Sequence, residues 1–172
     1  GPLSTGCYLA QLTSRGCPFN CRFCVVPSTN KRRWRARSAE NVVAEMRHMR
    51  QRFGVREFHW EDLNPTTSET RMLSISQCIC DSGLDVIWKL VSGTKIEMLR
   101  ERTIDAMASA GCRYISFSPE SGSPRVLSLM GKPFDHEYAL ALTRHMHRRG
   151  IYTQACFVIG FPGETDADLE MT

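Results

Sequence analysis

No run of apolar residues in the 172-residue chain approaches the ~18 needed to span a membrane. No segment has the charged, apolar and small-residue regions of a secretory signal. There is no low-complexity tract and no short internal repeat, which sets aside fibrous and solenoid architectures. Charge of one sign is scarcely in excess. The net charge is +4, and Lys31, Arg32, Arg33, Arg35 and Arg37 concentrate +5 in one short stretch, leaving the rest of the chain at −1. That is a basic loop on a nearly neutral body, not a globally basic nucleic-acid binder. What is present, 42% hydrophobic and 23% charged residues, is enough for a packed core. The opening Gly1-Pro2-Leu3-Ser4 reads as the scar of a cleaved expression tag, so residues 1–5 are set apart and residues 6–172 are taken as one domain, cut from a longer protein.

Hydrophobic periodicity alternates between two kinds of segment. A strand is predicted over 7–13, followed by a cysteine-rich loop and the basic stretch. A helix opens at Ser38, a good N-cap, and stops at Gly54. Further strands are expected over 57–60, 85–91, 113–117 and 152–159. Helices are expected from Ser68 to Gly83, over 102–110, 124–130 and 135–149, and from Thr165 onward. Strand and helix in five-fold alternation argue for a parallel sheet in an α/β fold. A closed eight-fold barrel needs ~250 residues, so a partial (β/α) barrel is the expectation and a flavodoxin-like doubly wound sheet the alternative. Each predicted strand ends in ligand-type residues: Cys17, Cys21 and Cys24; Glu61 and Asp62; Ser92 and Lys95; Glu120; then Gly160 to Glu164. That is the end where such folds place their chemistry.

Three of the eight cysteines fall in Cys17-Pro-Phe-Asn-Cys21-Arg-Phe-Cys24, spaced C-x3-C-x2-C. In a reducing compartment, and cytoplasm is expected here, such a bunch points to metal or redox chemistry. Three thiolates on a short loop can each bind one iron of a cubane cluster and leave the fourth iron open for substrate. A structural zinc site favours four protein ligands in paired C-x2-C knuckles. Here the fourth would be Cys7 or a distant residue, and disulfide pairing would leave one cysteine over.

This motif, with Phe23 as the aromatic before the last cysteine, resembles the radical S-adenosylmethionine (SAM) superfamily. The resemblance extends over nearly the whole chain. Arg37 to Glu45 matches the helix after the cluster loop. Trp60-Glu61-Asp62-Leu63-Asn64-Pro65-Thr66 sits where the family receives the SAM amino group. Glu120-Ser121-Gly122-Ser123 resembles the motif whose carboxylate helps hold SAM. Phe157 to Thr165, with Gly160, Phe161, Pro162 and Gly163, resembles the motif that backs the adenine. The resemblance implies a [4Fe-4S] cluster on Cys17, Cys21 and Cys24, with SAM as the second cofactor. It implies a domain of six βα units, of which about five are here. It is greatest to the subgroup with an upstream cobalamin-binding domain, which lies outside this chain. Cobalamin-associated methyl transfer to a small-molecule substrate is the implied activity, with an electron donor such as flavodoxin or ferredoxin. Methylthiotransferases of tRNA or protein are near relatives, and a non-catalytic iron–sulfur or zinc module is the remaining alternative.

Plainer readings stand beside these. Glu61 and Asp62 can be a solvated strand end, Glu120 a helix cap, and Gly160 and Gly163 mere turn residues. The run from Lys31 to Arg37, with Trp34 inside it, is read as a solvated loop rather than an RNA grip. Cys78 and Cys80 are expected as core or half-buried thiols, Cys112 and Cys156 as small core residues. His136, His145 and His147 are expected to be solvated, and Met46, Met49 and Met107 to lie in the core.

Overall fold

The computed structural model describes residues 4–172. Seven strands run β1 (Tyr8–Gln11), β2 (Ser14–Arg15), β3 (Arg35–Ala36), β4 (Glu57–Trp60), β5 (Ile87–Thr94), β6 (Cys112–Glu120) and β7 (Tyr152–Phe157). Seven α-helices are interspersed: α1 (Val26–Asn30), α2 (Ala39–Phe53), α3 (Glu69–Asp81), α4 (Glu101–Ser109), α5 (Pro124–Met130), α6 (His136–Arg148) and α7 (Asp166–Glu170). Five strands form one parallel sheet in the order β1-β4-β5-β6-β7. Strand order therefore follows chain order without reversal. That excludes the doubly wound alternative, whose sheet reverses at a switch point, and describes an open, partial (β/α) barrel.

One face of the sheet carries the core. Phe58, Trp60, Trp88, Leu90, Ile115 and Phe117 alternate along their strands and pack on Val42, Val43 and Met46 of α2, Met72, Ile75 and Ile79 of α3, Ile104 and Met107 of α4, and Leu142 and Met146 of α6. Trp60 and Trp88 stack with ring centroids 4.3 Å apart. The helices begin and end where capping chemistry allows. The Ser38 hydroxyl accepts the Asn41 N–H at 3.2 Å, and α2 closes at Gly54 with φ +71°.

The opposite face is polar. Tyr8 stacks on His59 at 3.9 Å. The buried Glu57 carboxylate meets the Lys89 ammonium, His59 Nε2 at 2.7 Å and the Thr5 N–H at 2.6 Å. Tyr114 donates to Gln154, and Ser116 lies 3.6 Å from the Cys156 sulfur. Burial alone would raise the Glu57 pKa, but the Lys89, Thr5 and His59 hydrogen bonds outweigh it and bring it down to about 2.

Several sequence expectations change. The predicted loop between the first strand and α2 contains α1 and a two-stranded antiparallel hairpin of β2 and β3. Strand β6 runs on through Pro119 to Glu120, while β7 ends at Phe157. Cys80 is exposed, and Cys156 is half-buried on the polar face rather than in the core. Of the three α6 histidines expected to be solvated, His136 and His147 are exposed, bonded to the Ser121 carbonyl at 3.0 Å and to Thr153 at 2.9 Å, whereas His145 is half-buried and bonded to Asp105 at 2.8 Å.

Candidate functional site

The cysteine loop leaves β2 at Gly16, whose φ is +86°. A Cβ there would stand 1.9 Å from the Arg33 carbonyl oxygen, so only glycine lets the two ends of the loop meet. The base of the hairpin is clamped by Asp62. This carboxylate is fully buried and accepts the Thr13 N–H at 2.7 Å and the Thr13 and Ser14 hydroxyls at 2.6 Å each. Arg71 adds a second clamp, donating to the Thr13 carbonyl at 2.7 Å and the Arg37 carbonyl at 2.9 Å. The structure thus separates the two adjacent carboxylates: Asp62 holds the fold, while Glu61 is exposed and available to a ligand.

The loop is then pinned across the C-terminal ends of the other strands. The Arg22 N–H donates to the Met130 carbonyl at 2.8 Å, at the end of α5. Phe23 meets Phe161 edge-to-face at 6.5 Å, which brings together two of the predicted cofactor-binding residues. The Lys95 ammonium, just past β5, lies 5.0 Å from the Phe19 ring centroid.

Cys17 and Cys21 are half-buried and Cys24 is exposed. Burial pushes the Cys17 and Cys21 thiols up, and neighbouring thiols add to this. Lys95 and Lys132 pull both back down. Among the described residues, no three His, Cys, Asp or Glu side chains converge as the cage of a single metal ion. The donor set nevertheless fits a cubane cluster: three thiols of one loop, close enough to feel one another's charge, with two ammonium groups beside them. Thiolates on three different irons stand farther apart than ligands of one ion, and thiol ligands take final positions only as metal binds.

Glu120 ends β6 with φ +69°, the left-handed region that a non-glycine residue rarely adopts outside functional or tightly held turns. Its carboxylate is paired with the buried Lys132 ammonium at 2.5 Å, and Lys132 also donates to the Ser118 carbonyl at 2.7 Å. The helix-capping reading of Glu120 does not hold, because Ser123 caps α5. Ser121 is buried and bonds to Thr172 and to the Ser123 N–H, which fixes the turn that presents Glu120. Past β7, Gly160 (φ +82°) and Phe161 donate their N–H groups to Glu164 at 2.6 and 3.3 Å. The Gly163 carbonyl accepts from Arg125, and Pro162 is exposed between the glycines. Lys132 was not singled out from the sequence. It follows a glycine after a short helix, with no motif to mark it, and only the fold carries it back to Glu120.

Comparison with known proteins agrees with this arrangement. The family model described as the radical SAM superfamily matches residues 12–172. An uncharacterized methyltransferase of Pyrococcus horikoshii is 34% identical over 161 residues, covering 94% of this chain and 35% of the relative. Cytidylyl-2-hydroxyethylphosphonate methyltransferase of Streptomyces wedmorensis is 32% identical over 163 residues, covering 94% and 30%. Among solved structures, the radical S-adenosylmethionine methyltransferase TsrM of Kitasatospora setae, with cobalamin and a [4Fe-4S] cluster bound, superimposes with a TM-score of 0.82 at 25% identity, covering 92% of this chain and 32% of that one. The chain spans about a third of the length of these relatives.

Proposed function

Because this chain belongs to the radical SAM superfamily, we propose that it is the catalytic core of a cobalamin-dependent methyltransferase acting on a small molecule, with Cys17, Cys21 and Cys24 holding a [4Fe-4S] cluster. The observation that carries the reading is the pinning of the C-x3-C-x2-C loop over the C-terminal ends of β5, β6 and β7. When bound, the reduced cluster supplies the electron that breaks a sulfur–carbon bond of SAM.

The chain's own residues bind and orient. SAM presents an ammonium and a carboxylate. Glu61 and Glu120 are the carboxylates that can meet the first, and Lys132 and Lys95 the cations that can meet the second. The Glu120–Lys132 pair keeps each charge compensated until the ligand arrives. The Gly160-Phe161-Pro162-Gly163 turn offers backbone and a ring face to a flat base, and the contact of Phe23 with Phe161 ties that turn to the cluster loop. Cobalamin enters through likeness to the TsrM structure, and its site would be supplied by polypeptide other than these residues. No helix of the described residues is long and apolar enough to cross a membrane. A reducing cytoplasm suits eight unpaired thiols, and the electron would come from a flavodoxin- or ferredoxin-type donor.

The test is anaerobic reconstitution with iron and sulfide, then SAM and dithionite, with assay for 5′-deoxyadenosine and a Cys21→Ala control. The nucleoside is expected from the native sequence and not from the variant. Tight zinc binding without cluster formation would overturn the assignment, and transfer of a methylthio rather than a methyl group would move the activity to the methylthiotransferases.

A further inference from the structure

The Thr153 hydroxyl lies 2.9 Å from His147 of α6, so β7 turns that residue toward the helices. Alternation then turns Gln154 and Cys156 in opposite senses about the strand's inner and outer edge, and the bonds show which is which: Gln154 meets Tyr114 and Cys156 meets Ser116, both on the polar face of the sheet. Glu57 and His59 of β4 and Lys89 of β5 share that face. Below the level of Glu120, Glu57 is its one carboxylate.

Hydrogen-bond donors outnumber acceptors there. Both Glu57 oxygens are taken, one by Lys89 and His59, the other by the N–H and hydroxyl of Thr5. The Tyr114 hydroxyl donates to the Gln154 carbonyl oxygen. Burial, with Cys156 beside it, pushes the Tyr114 pKa above its ordinary value, so that proton stays in place. The bond fixes which way the amide lies and leaves both Gln154 N–H groups directed elsewhere. Gln154 is exposed, and among the described residues neither N–H has an acceptor. Lys89 is the register partner of Tyr114 on its other side. Its ammonium carries three donors, and Glu57 takes one.

We propose that Gln154, held by Tyr114 and assisted by Lys89, binds an oxyanion of the substrate, a carboxylate or a phosphate. That the ligand is a substrate rests on the function proposed above. Gln154 lies three residues before Phe157, the register partner of Glu120. At a rise of ~3.3 Å per residue, its level is about 10 Å below the one where Glu120 can meet SAM. The substrate is then a small, elongated, polar molecule. Its oxyanion is at one end, and the carbon that receives the methyl group is about 10 Å away. A flat apolar macrocycle or a lipid is disfavoured, because it would cover Gln154 and Lys89 and leave their donors dry and unpaired.

The test is anaerobic saturation-transfer NMR on the reconstituted protein with SAM, titrated with butyrate, with butyl phosphate and with uncharged butyramide. One or both anions should bind the native sequence at least 10-fold more tightly than butyramide, and the anion that binds identifies the oxyanion. Gln154→Leu removes the donors and should weaken that anion roughly 10- to 100-fold. Gln154→Glu keeps an acceptor for Tyr114 but adds a like charge, and should abolish binding. Tyr114→Phe frees the amide to turn and should weaken binding by a smaller factor. Because Gln154 is exposed, both of its variants should hold native iron and unfold at the native urea midpoint. Anion binding unchanged in Gln154→Leu would place it elsewhere, such as on the arginines of the cysteine loop, and would overturn the proposal. So would failure of both anions to bind the native protein, or equal binding of butyramide. A protein that forms no cluster yet binds the anion through Gln154 would overturn the function proposed above and leave the oxyanion site standing.

Discussion

Replacing Asp62 by alanine separates a fold-holding carboxylate from a ligand-binding one. Asp62 is fully buried and accepts three hydrogen bonds, from the Thr13 N–H and the Thr13 and Ser14 hydroxyls, at 2.6–2.7 Å. Bonds to a charged acceptor contribute about 1.5–3 kcal/mol each, and a buried donor left without a partner costs about 1–3 kcal/mol. The two hydroxyls can rotate to other acceptors, while the Thr13 N–H cannot. Nearby Arg71 would also lose its countercharge. The three bonds do not sum independently, and a loss of roughly 3–5 kcal/mol is expected, a large share of the ~5–15 kcal/mol total of a domain. Urea unfolding followed by circular dichroism should show the midpoint falling with the slope unchanged. Iron retained after reconstitution should fall in parallel, because Thr13 and Ser14 anchor the cysteine loop. Glu61→Gln should leave the midpoint within ~0.5 kcal/mol of native and weaken SAM binding instead. An Asp62→Ala protein as stable as native that fails to bind SAM would refute the division of labour.

Gly16→Ala forces a Cβ against the Arg33 carbonyl oxygen at a positive φ, so reconstituted protein should lose most of its iron while far-UV circular dichroism stays native. Lys132→Met leaves Glu120 buried and unpaired and should lower stability by about 3–5 kcal/mol in a denaturant titration. Glu57, with its pKa brought from 4.5 to about 2 in the fold, contributes about 3 kcal/mol that is fully present above pH 4.5 and lost as pH falls toward 2. Acid titration of stability should therefore be shallower in Glu57→Gln than in the native protein over that window.

Elements with strong periodicity and good caps were legible from the residues alone: α2 between Ser38 and Gly54, β4 over Glu57–Trp60, and α5 over Pro124–Met130. The β2–β3 hairpin was not, because two-residue strands carry no period and its arginines read as loop. Pro119 concealed the last residues of β6, since proline reads as a strand breaker, although here its missing N–H falls where the register with β7 is irregular. The cysteine spacing identified the loop, but nothing local distinguished Glu61 from Asp62. Adjacent side chains point opposite ways, and only their burial against Thr13 and Ser14 shows which is bound. Lys132 and Glu120 are twelve residues apart, and their meeting depends on a left-handed backbone turn that composition does not announce.

The ordering of the sheet has a consequence for how the molecule comes into being. Every strand after β1 in the main sheet adds beside the main-sheet strand made before it. From β4 onward the main sheet can thus assemble in the direction of synthesis, each new strand meeting an edge already made. At each stage the newest strand is a bare edge ready for the next, so units can be appended to β7 without disturbing those behind it. Growth of this kind spares the chain a long-range closure step during folding.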